Sequence, residues 1–391
     1  MVSAISARAG WASRLASSRS IQPAPACRRG TAYQSSSTSA PTQSLLDDPL
    51  YLGLRQHRVR GDEYTAFVDE FVDAAEMLYP KCCIQWENFA NFNAVPILAR
   101  YRDKICTFND DIQGTAGIAL AGILAALRLT GQKLADQRFL FLGAGSAATG
   151  IAELISLVMA REGADLTEAR RQNAMFDVNG LLVTGRTDLA DFQKPFAQDR
   201  KPVSTFVEAI KALRPTGIIG VSAVPKLFTC EVIEAMASIN ERPIIFPYSN
   251  PTSRSECTAE EAYRWSDGRA VFASGSPFPP VEIAGRRFVP GQGNNVYIFP
   301  AMGLAVFATE SSRVTEEMFI VAAQAVAEQV SEESLSAGLI YPPQSHIFEA
   351  SFHVAERIAA HIFDQGLARV PRPKDIGALI RAQVYRPIYA E

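Results

Sequence analysis

Three acidic side chains in apolar surroundings are the strongest candidates for chemistry in this sequence. Glu87 follows the mainly apolar segment 84–86 (Ile-Gln-Trp), and the adjacent acids Asp110 and Asp111 come soon after the segment 106–108 (Cys-Thr-Phe). Carboxylates in such surroundings are unfavourable unless they are paired or bound to a metal. Oxygen ligands of this kind suit Mg²⁺ or Mn²⁺. A simpler interpretation also fits, in which Asp110 and Asp111 cap the helix that follows them.

A second pattern predicts nucleotide binding. Residues 139–148 (Phe-Leu-Phe-Leu-Gly-Ala-Gly-Ser-Ala-Ala) have the form of a buried strand, a glycine turn and the start of a helix. Such a turn lets the backbone approach a pyrophosphate, whose charge the first N–H groups of the helix bind. Asp177 ends the next strand candidate, where an acid accepts hydrogen bonds from the adenosine ribose. The candidate coenzyme-binding residues are Gly143, Ala144, Gly145, Ser146 and Asp177.

The surroundings of Asp177 bear on which coenzyme binds. The residue lies farther from Gly143 than the usual spacing of about 20 residues, and the charged stretch 161–171 is expected to form an elongated helix and loop that absorbs the excess. No basic residue follows Asp177 directly, and its carboxylate would repel a 2′-phosphate. The pattern therefore favours NAD over NADP, although Arg186 and Lys194 lie close enough in sequence to keep NADP open.

The elements that must position these groups alternate between strand and helix. Periodicity predicts strands at 82–85, 138–142, 174–176, 217–221, 243–246 and 270–273, and helices at 63–78, 93–101, 146–161, 315–330 and 346–365. Such alternation implies an α/β fold with a mostly parallel, Rossmann-type sheet covered on both faces. Beyond residue 295 the chain is predicted to be mainly helical.

Composition excludes several classes of protein. The net charge of −3 indicates no nucleic-acid partner. The apolar run 116–127 is shorter than the roughly 20 residues of a membrane span, so a buried core helix is expected and no membrane partner. The six cysteines form no CxxC pair, which favours a reduced, intracellular setting, and the four histidines form no metal-binding cluster.

The first 46 residues differ from the rest of the chain. They are rich in Arg, Ser and Ala, contain no acid before Asp47, and can partly form an amphipathic helix through Ile5, Trp11 and Leu15. This composition resembles a mitochondrial transit peptide and predicts the mitochondrial matrix, with the cytoplasm as the alternative. The other interpretation is a disordered leader with no targeting role.

Long motifs, in order along the chain, resemble those of malic enzymes. The resemblance runs from about residue 45 to the C-terminus. The motifs are 45–53 (Leu-Leu-Asp-Asp-Pro-Leu-Tyr-Leu-Gly), 107–115 (Thr-Phe-Asn-Asp-Asp-Ile-Gln-Gly-Thr), 141–145 (Phe-Leu-Gly-Ala-Gly), 248–252 (Tyr-Ser-Asn-Pro-Thr), 273–278 (Ala-Ser-Gly-Ser-Pro-Phe) and 290–295 (Pro-Gly-Gln-Gly-Asn-Asn).

The resemblance implies an activity. Malic enzymes oxidise L-malate with NAD(P) and a divalent cation, then decarboxylate the product to pyruvate and CO₂. By motif, Glu87, Asn88 and Asp111 resemble the metal ligands, and Asp110 the neighbouring acid that polarises the catalytic base. Asn88 replaces the usual aspartate, which removes one charge. The family generally forms dimers or tetramers, so a homo-oligomer is expected.

The resemblance also assigns amide side chains. Asn91 resembles a further coenzyme contact, and Gln193 occupies a position where NADP-preferring relatives often carry lysine, which again favours NAD. Asn250, Asn294 and Asn295 resemble amides that contact malate and the nicotinamide end. Each asparagine, taken alone, would be interpreted as a turn or cap residue.

One departure from the family pattern is large. The usual tyrosine acid in a Tyr-Thr-Pro context, the lysine base and the arginine that holds a malate carboxylate are not found in their motifs. The alternatives are therefore a malolactic enzyme of the same framework, or a non-catalytic paralogue that binds NAD or metal as a partner subunit.

The expected domains are a leader (1–44), a partial, discontinuous substrate and metal domain (45–110), a Rossmann-type NAD domain (111–294) and a helical return with C-terminal helices (295–391).

Overall fold

The computed structural model describes residues 2–6, 33–34, 47–50 and 59–384. The chain forms two compact units. Unit 1 comprises Met1–Asp111, Phe299–Met318 and Ile347–Glu391, and unit 2 comprises Ile112–Ile298 and Phe319–His346. Residues 319–346, which the sequence pattern grouped with the helical return, thus belong to the nucleotide-fold unit.

The secondary structure alternates as expected for an α/β fold. The strands are β1 Val2–Ser6, β2 Tyr33–Gln34, β3 Ile84–Glu87, β4 Thr107–Asn109, β5 Phe139–Leu142, β6 Asn173–Asp177, β7 Gly180–Leu181, β8 Gly217–Gly220, β9 Ile244–Pro247, β10 Val271–Ser274, β11 Val281–Ile283, β12 Arg286–Phe288 and β13 Gly291–Gln292. The α-helices are α1 Gly61–Leu78, α2 Asn91–Tyr101, α3 Thr115–Thr130, α4 Ser146–Arg161, α5 Leu166–Arg171, α6 Phe206–Leu213, α7 Cys230–Ile239, α8 Ala259–Trp265, α9 Phe299–Thr309, α10 Glu316–Glu328, α11 Glu332–Ser336, α12 Ile347–Asp364 and α13 Ile376–Ala382.

Unit 1 contains a four-stranded parallel sheet in the order β2-β1-β3-β4. Helix α1 buries Val68, Val72 and Ala75, whose spacing of three and four residues places them on one face. Trp86 on β3 is completely buried and stacks on Tyr101 of α2, with ring centroids 6.0 Å apart. This aromatic core fixes β3 beneath the two helices.

The start of the chain differs from the helix that the sequence suggested. Val2–Ser6 forms β1 and pairs with β3, and its β-branched residues, Val2 and Ile5, favour an extended strand. Trp11 and Leu15, the other residues of that predicted helix, lie outside the described residues. The transit-peptide interpretation stays a prediction.

Unit 2 is built on a seven-stranded sheet in the order β13-β10-β9-β8-β5-β6-β7. All pairings are parallel except that of β6 with β7, which are antiparallel and joined by a tight turn. Strands β5, β8, β9 and β10 are buried along their whole length, as expected where helices cover both faces. The chain leaves β5 toward β6 and returns on its other side as β8, which creates a switch point between β5 and β8. The predicted Rossmann-type fold is confirmed.

The long interval between Gly143 and Asp177 is occupied by an extra helix. Asp165 accepts hydrogen bonds from the backbone N–H groups of Thr167 and Glu168 and thereby begins α5. Arg170 then binds Glu153 of α4, which holds the added helix against its neighbour. The charged stretch therefore absorbs the excess residues, as predicted.

The most apolar helix of the described chain is a core helix. The segment Asp110–Thr130 is long and apolar enough to cross a membrane by length and composition, but 78% of its most apolar window is buried inside the protein. Its centre is rich in Ala, Ile and Leu, and nearly all of these residues are buried. Burial of this kind is typical of the core helix of a folded domain.

Candidate functional site

The ends of two neighbouring strands bring acidic residues together in unit 1. The parallel register of β3 and β4 pairs Ile84 with Thr107 and Trp86 with Asn109, so the next residues along, Glu87 and Asp110, share one edge of the sheet. A π-helical turn, Asp110–Gly114, follows β4 directly. It places Asp111 near the end of β3, where the backbone N–H of residue 88 donates to its Oδ2 at 2.5 Å.

The charges of this carboxylate pair repel each other. Burial and the nearby charge of Asp111 raise the pKa of Glu87 to about 7, while a hydrogen bond from Gln85 (3.3 Å) acts in the opposite direction. Two like charges in a half-buried position disfavour joint ionisation. A divalent cation between them would remove that repulsion, so the pair fits Mg²⁺ or Mn²⁺.

The remaining predicted residues of unit 1 have different environments. Asp110 is 3% exposed and starts the π-helical turn, so it does not act as an ordinary N-cap of α3. Asn88 is half-buried and adopts a left-handed backbone with φ of 63°, which aims its N–H at Asp111. Asn91 is exposed at the first position of α2. Within residues 59–384 and the shorter described segments, no three His, Cys, Asp or Glu side chains form a metal-binding group.

The glycine turn of unit 2 has the geometry that nucleotide binding requires. Gly143 has φ of 114°, and a Cβ there would lie 2.7 Å from the carbonyl oxygen of Val221. Only glycine fits such a position without strain. Gly145 is extended and precedes Ser146, the first residue of α4, so the first N–H groups of that helix follow the turn. A turn of this geometry suits an anionic group such as a pyrophosphate, and that assignment stays a prediction.

The sequence pattern did not reveal the partner of Asp177. Arg186 donates to both oxygens of this carboxylate, from Nη1 at 2.9 Å and from Nη2 at 2.8 Å. Its guanidinium also contacts Asp188, and the hydrogen bonds that it donates to Asp188 and Asp177 raise the pKa of Arg186. The signal in the sequence was an arginine soon after Asp177, beyond the β6–β7 turn. Lys194, the other nearby cation, instead pairs with Asp191.

Gln193 is tied to the glycine turn. Its Nε2 donates to the carbonyl oxygen of Ala144 at 2.8 Å, and its Oε1 accepts from the backbone N–H of Ala190 at 2.9 Å. The side chain therefore lies against the glycine turn 143–145, although 49 residues separate Gln193 from Ala144 along the chain. It contributes an uncharged amide to this region.

The three predicted substrate asparagines differ in their contacts. Asn250 is exposed and precedes Pro251 through a cis peptide bond. The side chain of Asn294 accepts from the N–H of Val296 at 2.9 Å, as a cap residue does. Asn295 donates to the hydroxyl of Thr115 at 3.2 Å. Their assignment as malate and nicotinamide contacts stays a prediction.

Fold and glycine turn together define a chain built around a Rossmann-type nucleotide-binding domain. Comparison with known families makes the assignment specific. A model described as "Malic enzyme, NAD binding domain" matches residues 112–363, and one described as "Malic enzyme, N-terminal domain" matches residues 37–102. The chain belongs to the malic enzyme family.

Curated relatives from plants are similar over most of this chain. An NADP-dependent malic enzyme of Phaseolus vulgaris is 50% identical over 351 residues, which cover 89% of this chain and 60% of the relative. A chloroplastic NADP-dependent malic enzyme of Flaveria pringlei is also 50% identical, over 89% of this chain and 54% of the relative. The chain thus spans a little over half the length of these relatives.

Solved structures agree in fold. A malic enzyme from Pyrococcus horikoshii superposes with a TM-score of 0.70 at 21% identity. The superposition covers 98% of this chain and 80% of the Pyrococcus chain. A malic enzyme from Entamoeba histolytica superposes with a TM-score of 0.69 at 24% identity. That superposition covers 90% of this chain and 65% of the Entamoeba chain. At this level of identity the likeness concerns architecture alone.

Proposed function

We propose that this chain serves the oxidative decarboxylation of L-malate to pyruvate and CO₂, with NAD as coenzyme and a divalent cation. The observation that carries the proposal is the Glu87–Asp111 carboxylate pair, whose mutual repulsion a cation would relieve. Family membership supplies the substrate class.

Glu87 and Asp111 are the residues that would hold the cation. Mg²⁺ or Mn²⁺ supplies Lewis-acid chemistry to the hydroxyl and carboxylate of malate when it is bound. Glu87 must lose its proton to act as a ligand, and its raised pKa makes that step dependent on pH. Asp110, buried beside Asp111 in the same turn, is assigned a positioning role.

The proposal of NAD rests on the charges around the adenosine end. Asp177 and Asp188 both contact Arg186, so the group carries one net negative charge and its only guanidinium is already engaged. Such a group disfavours a 2′-phosphate. Gln193 adds no positive charge beside the turn. The two plant relatives compared above are named NADP-dependent, so direct measurement of both coenzymes is required.

Catalytic turnover by the 391 residues is proposed to be slow. The tyrosine acid and lysine base of the family do not occur here in their motifs, and general acid and general base catalysis each contribute roughly 10²–10⁴-fold. The chain retains the groups proposed for coenzyme and cation, so binding is expected to survive where chemistry is impaired.

One assay distinguishes the alternatives. The purified chain is incubated with malate, NAD and Mn²⁺, and NADH is followed at 340 nm while malate, pyruvate and lactate are quantified. Slow, matched formation of NADH and pyruvate that Asp111→Asn abolishes supports the proposal. Lactate without free NADH identifies a malolactic enzyme. NAD binding without any loss of malate identifies a binding paralogue, and rapid turnover contradicts the proposed impairment.

We further propose a mitochondrial location and a homo-oligomeric state. The acid-free, Arg-rich start of the chain supports the former. Fusion of residues 1–46 to a fluorescent protein tests the proposed location: import into mitochondria supports it, and a chloroplast or diffuse cytoplasmic signal overturns it.

Light scattering of the purified chain tests the proposed homo-oligomeric state, and a monomer mass at micromolar concentration would refute it.

A further inference from the structure

Glu256 is a completely buried acid outside the groups assigned above. It lies between β9 and α8 in unit 2, and its exposed fraction is 0%. A buried carboxylate without an ion pair is unfavourable unless hydrogen bonds hold it. Its contacts therefore indicate what keeps it there.

One oxygen of Glu256 accepts three hydrogen bonds. Oε1 accepts from the backbone N–H of Ser222 at 3.0 Å, from its hydroxyl at 2.9 Å and from the hydroxyl of Ser249 at 2.5 Å. The Ser249 hydroxyl oxygen in turn accepts from the N–H of Ala223 at 2.8 Å. The loop after β8 and the chain after β9 are thus joined through a single carboxylate oxygen.

The other carboxylate oxygen of Glu256, Oε2, lies in an unfavourable environment. Oε2 is buried and has no hydrogen-bond partner within the described part of the chain. It packs on Gly220, where an added Cβ would lie 2.6 Å from it. A buried acceptor without a partner destabilises a protein, and such groups call for an explanation beyond stability. The presence of a buried glutamate at this position is consequently best explained by the hydrogen bonds through which Oε1 holds the loop after β8.

That loop lies next to the coenzyme turn. Strands β5 and β8 are neighbours at the switch point of the sheet, where dinucleotides bind in this kind of fold. The carbonyl oxygen of Val221 is the atom that a Cβ at Gly143 would meet. Ala223 has φ of 57°, a left-handed conformation that an alanine adopts only when its surroundings hold it there. Its N–H donates to Ser249, which Glu256 holds through Oε1, and its carbonyl oxygen accepts from Arg254.

We propose that Glu256 is a positioning residue for the dinucleotide: through Oε1 it holds the loop 221–223 in the shape that receives the coenzyme at the switch point. The role rests on the coenzyme binding proposed above. Glu256 itself need not touch the coenzyme, since it acts through Ser222 and Ser249.

The test compares matched variants. Glu256→Gln retains the shape and an acceptor oxygen, Glu256→Ala removes the acceptor, and Ser249→Ala removes one donor. Met236→Ala, in the buried core of α7, is the control for general destabilisation. NAD dissociation constants are measured by calorimetry well below each melting temperature. Hydrogen exchange of residues 217–228 is measured without coenzyme.

Glu256→Ala is expected to weaken NAD binding about tenfold and to speed exchange at 222 and 223, because the acceptor of three hydrogen bonds is lost. Glu256→Gln should stay within about threefold of the wild-type constant, and Met236→Ala should leave both readouts unchanged. Ser249→Ala added to Glu256→Ala should weaken binding less than about twofold further, since both changes break one network.

Two results overturn the inference. Unchanged NAD binding and unchanged exchange in Glu256→Ala would show that the carboxylate does not hold the loop. Equal losses in Glu256→Ala and Met236→Ala would show a general structural effect. If the wild-type chain binds no NAD, the proposed function fails by itself, and the exchange measurement still decides whether Glu256 orders residues 221–223.

Discussion

The guanidinium of Arg186 lies in bidentate contact with the carboxylate of Asp177, with both nitrogen–oxygen distances below 3 Å. The acid expected to receive a ribose is therefore partnered before any coenzyme arrives. Arg186 is 13% exposed and Asp177 20%, so the pair is well shielded from solvent. The preference between NAD and NADP should accordingly depend on both members of the Arg186–Asp177 pair, and not on Asp177 alone.

Replacing Asp177 with Ala should change coenzyme preference. Loss of the ribose acceptor is expected to weaken NAD binding about tenfold. The same change leaves Arg186 with one fewer carboxylate, and a 2′-phosphate gains an attractive partner, so NADP should be affected less. Calorimetry with both coenzymes gives the ratio. Asp191→Ala, which removes an exposed acid paired with Lys194, is the control. An unchanged NAD constant in Asp177→Ala would remove the fingerprint assignment.

A pair of glycine substitutions should separate backbone strain from close approach at the coenzyme turn. Gly143 and Gly163 have similar left-handed φ angles, 114° and 104°, but a Cβ meets Val221 only at Gly143 and nothing within 4 Å at Gly163. Gly143→Ala should therefore destabilise the protein by about 1–3 kcal/mol beyond Gly163→Ala, because only there does the added Cβ meet packed backbone. Urea unfolding measures the difference. Equal losses would show that the contact with Val221 has no energetic weight.

The stability of the metal-free protein should depend on Glu87 in a defined pH range. Its folded pKa, about 7, lies above its ordinary value of 4.5, so the folded state binds this proton more tightly than the unfolded state. Stability from this group is complete below about pH 4.5 and is lost as pH rises through 7. Glu87→Gln cannot lose a proton there, so with chelator present it should become the more stable protein above pH 7. Parallel stability curves for the two proteins would contradict this.

The arrangement of unit 2 could be predicted from the sequence because its signals are local. Apolar strands, the turn at Gly143 and the acid at Asp177 follow one another along the chain. The charged stretch before Asp177 was expected to absorb the long interval as an elongated helix and loop, and the structure places a separate short helix, α5, within it. The β6–β7 turn that brings Arg186 back onto Asp177 depends on pairing across space. No periodicity carries that information.

The acidic site was predictable only in part. Apolar runs before Glu87 and Asp111 indicated strand ends, and the parallel register brings those ends to one edge. The π-helical turn and the left-handed Asn88 were not foreseeable, because both depend on how the chain accommodates the neighbouring strand. The burial of Glu256 could not be predicted, because nothing near it in sequence distinguishes it from Glu260 and Glu261 of α8, which are exposed and half-buried.

A Mn²⁺ titration of the purified chain, followed by calorimetry or by the EPR signal of the free ion, tests the central claim that Glu87 and Asp111 bind a cation. The wild-type chain should bind one ion near pH 8, with affinity falling about tenfold per pH unit well below pH 7 as Glu87 takes up its proton. The double variant Glu87→Gln, Asp111→Asn should lose this site, whereas Asp188→Asn should retain it. Binding that is unchanged in the double variant would contradict the account.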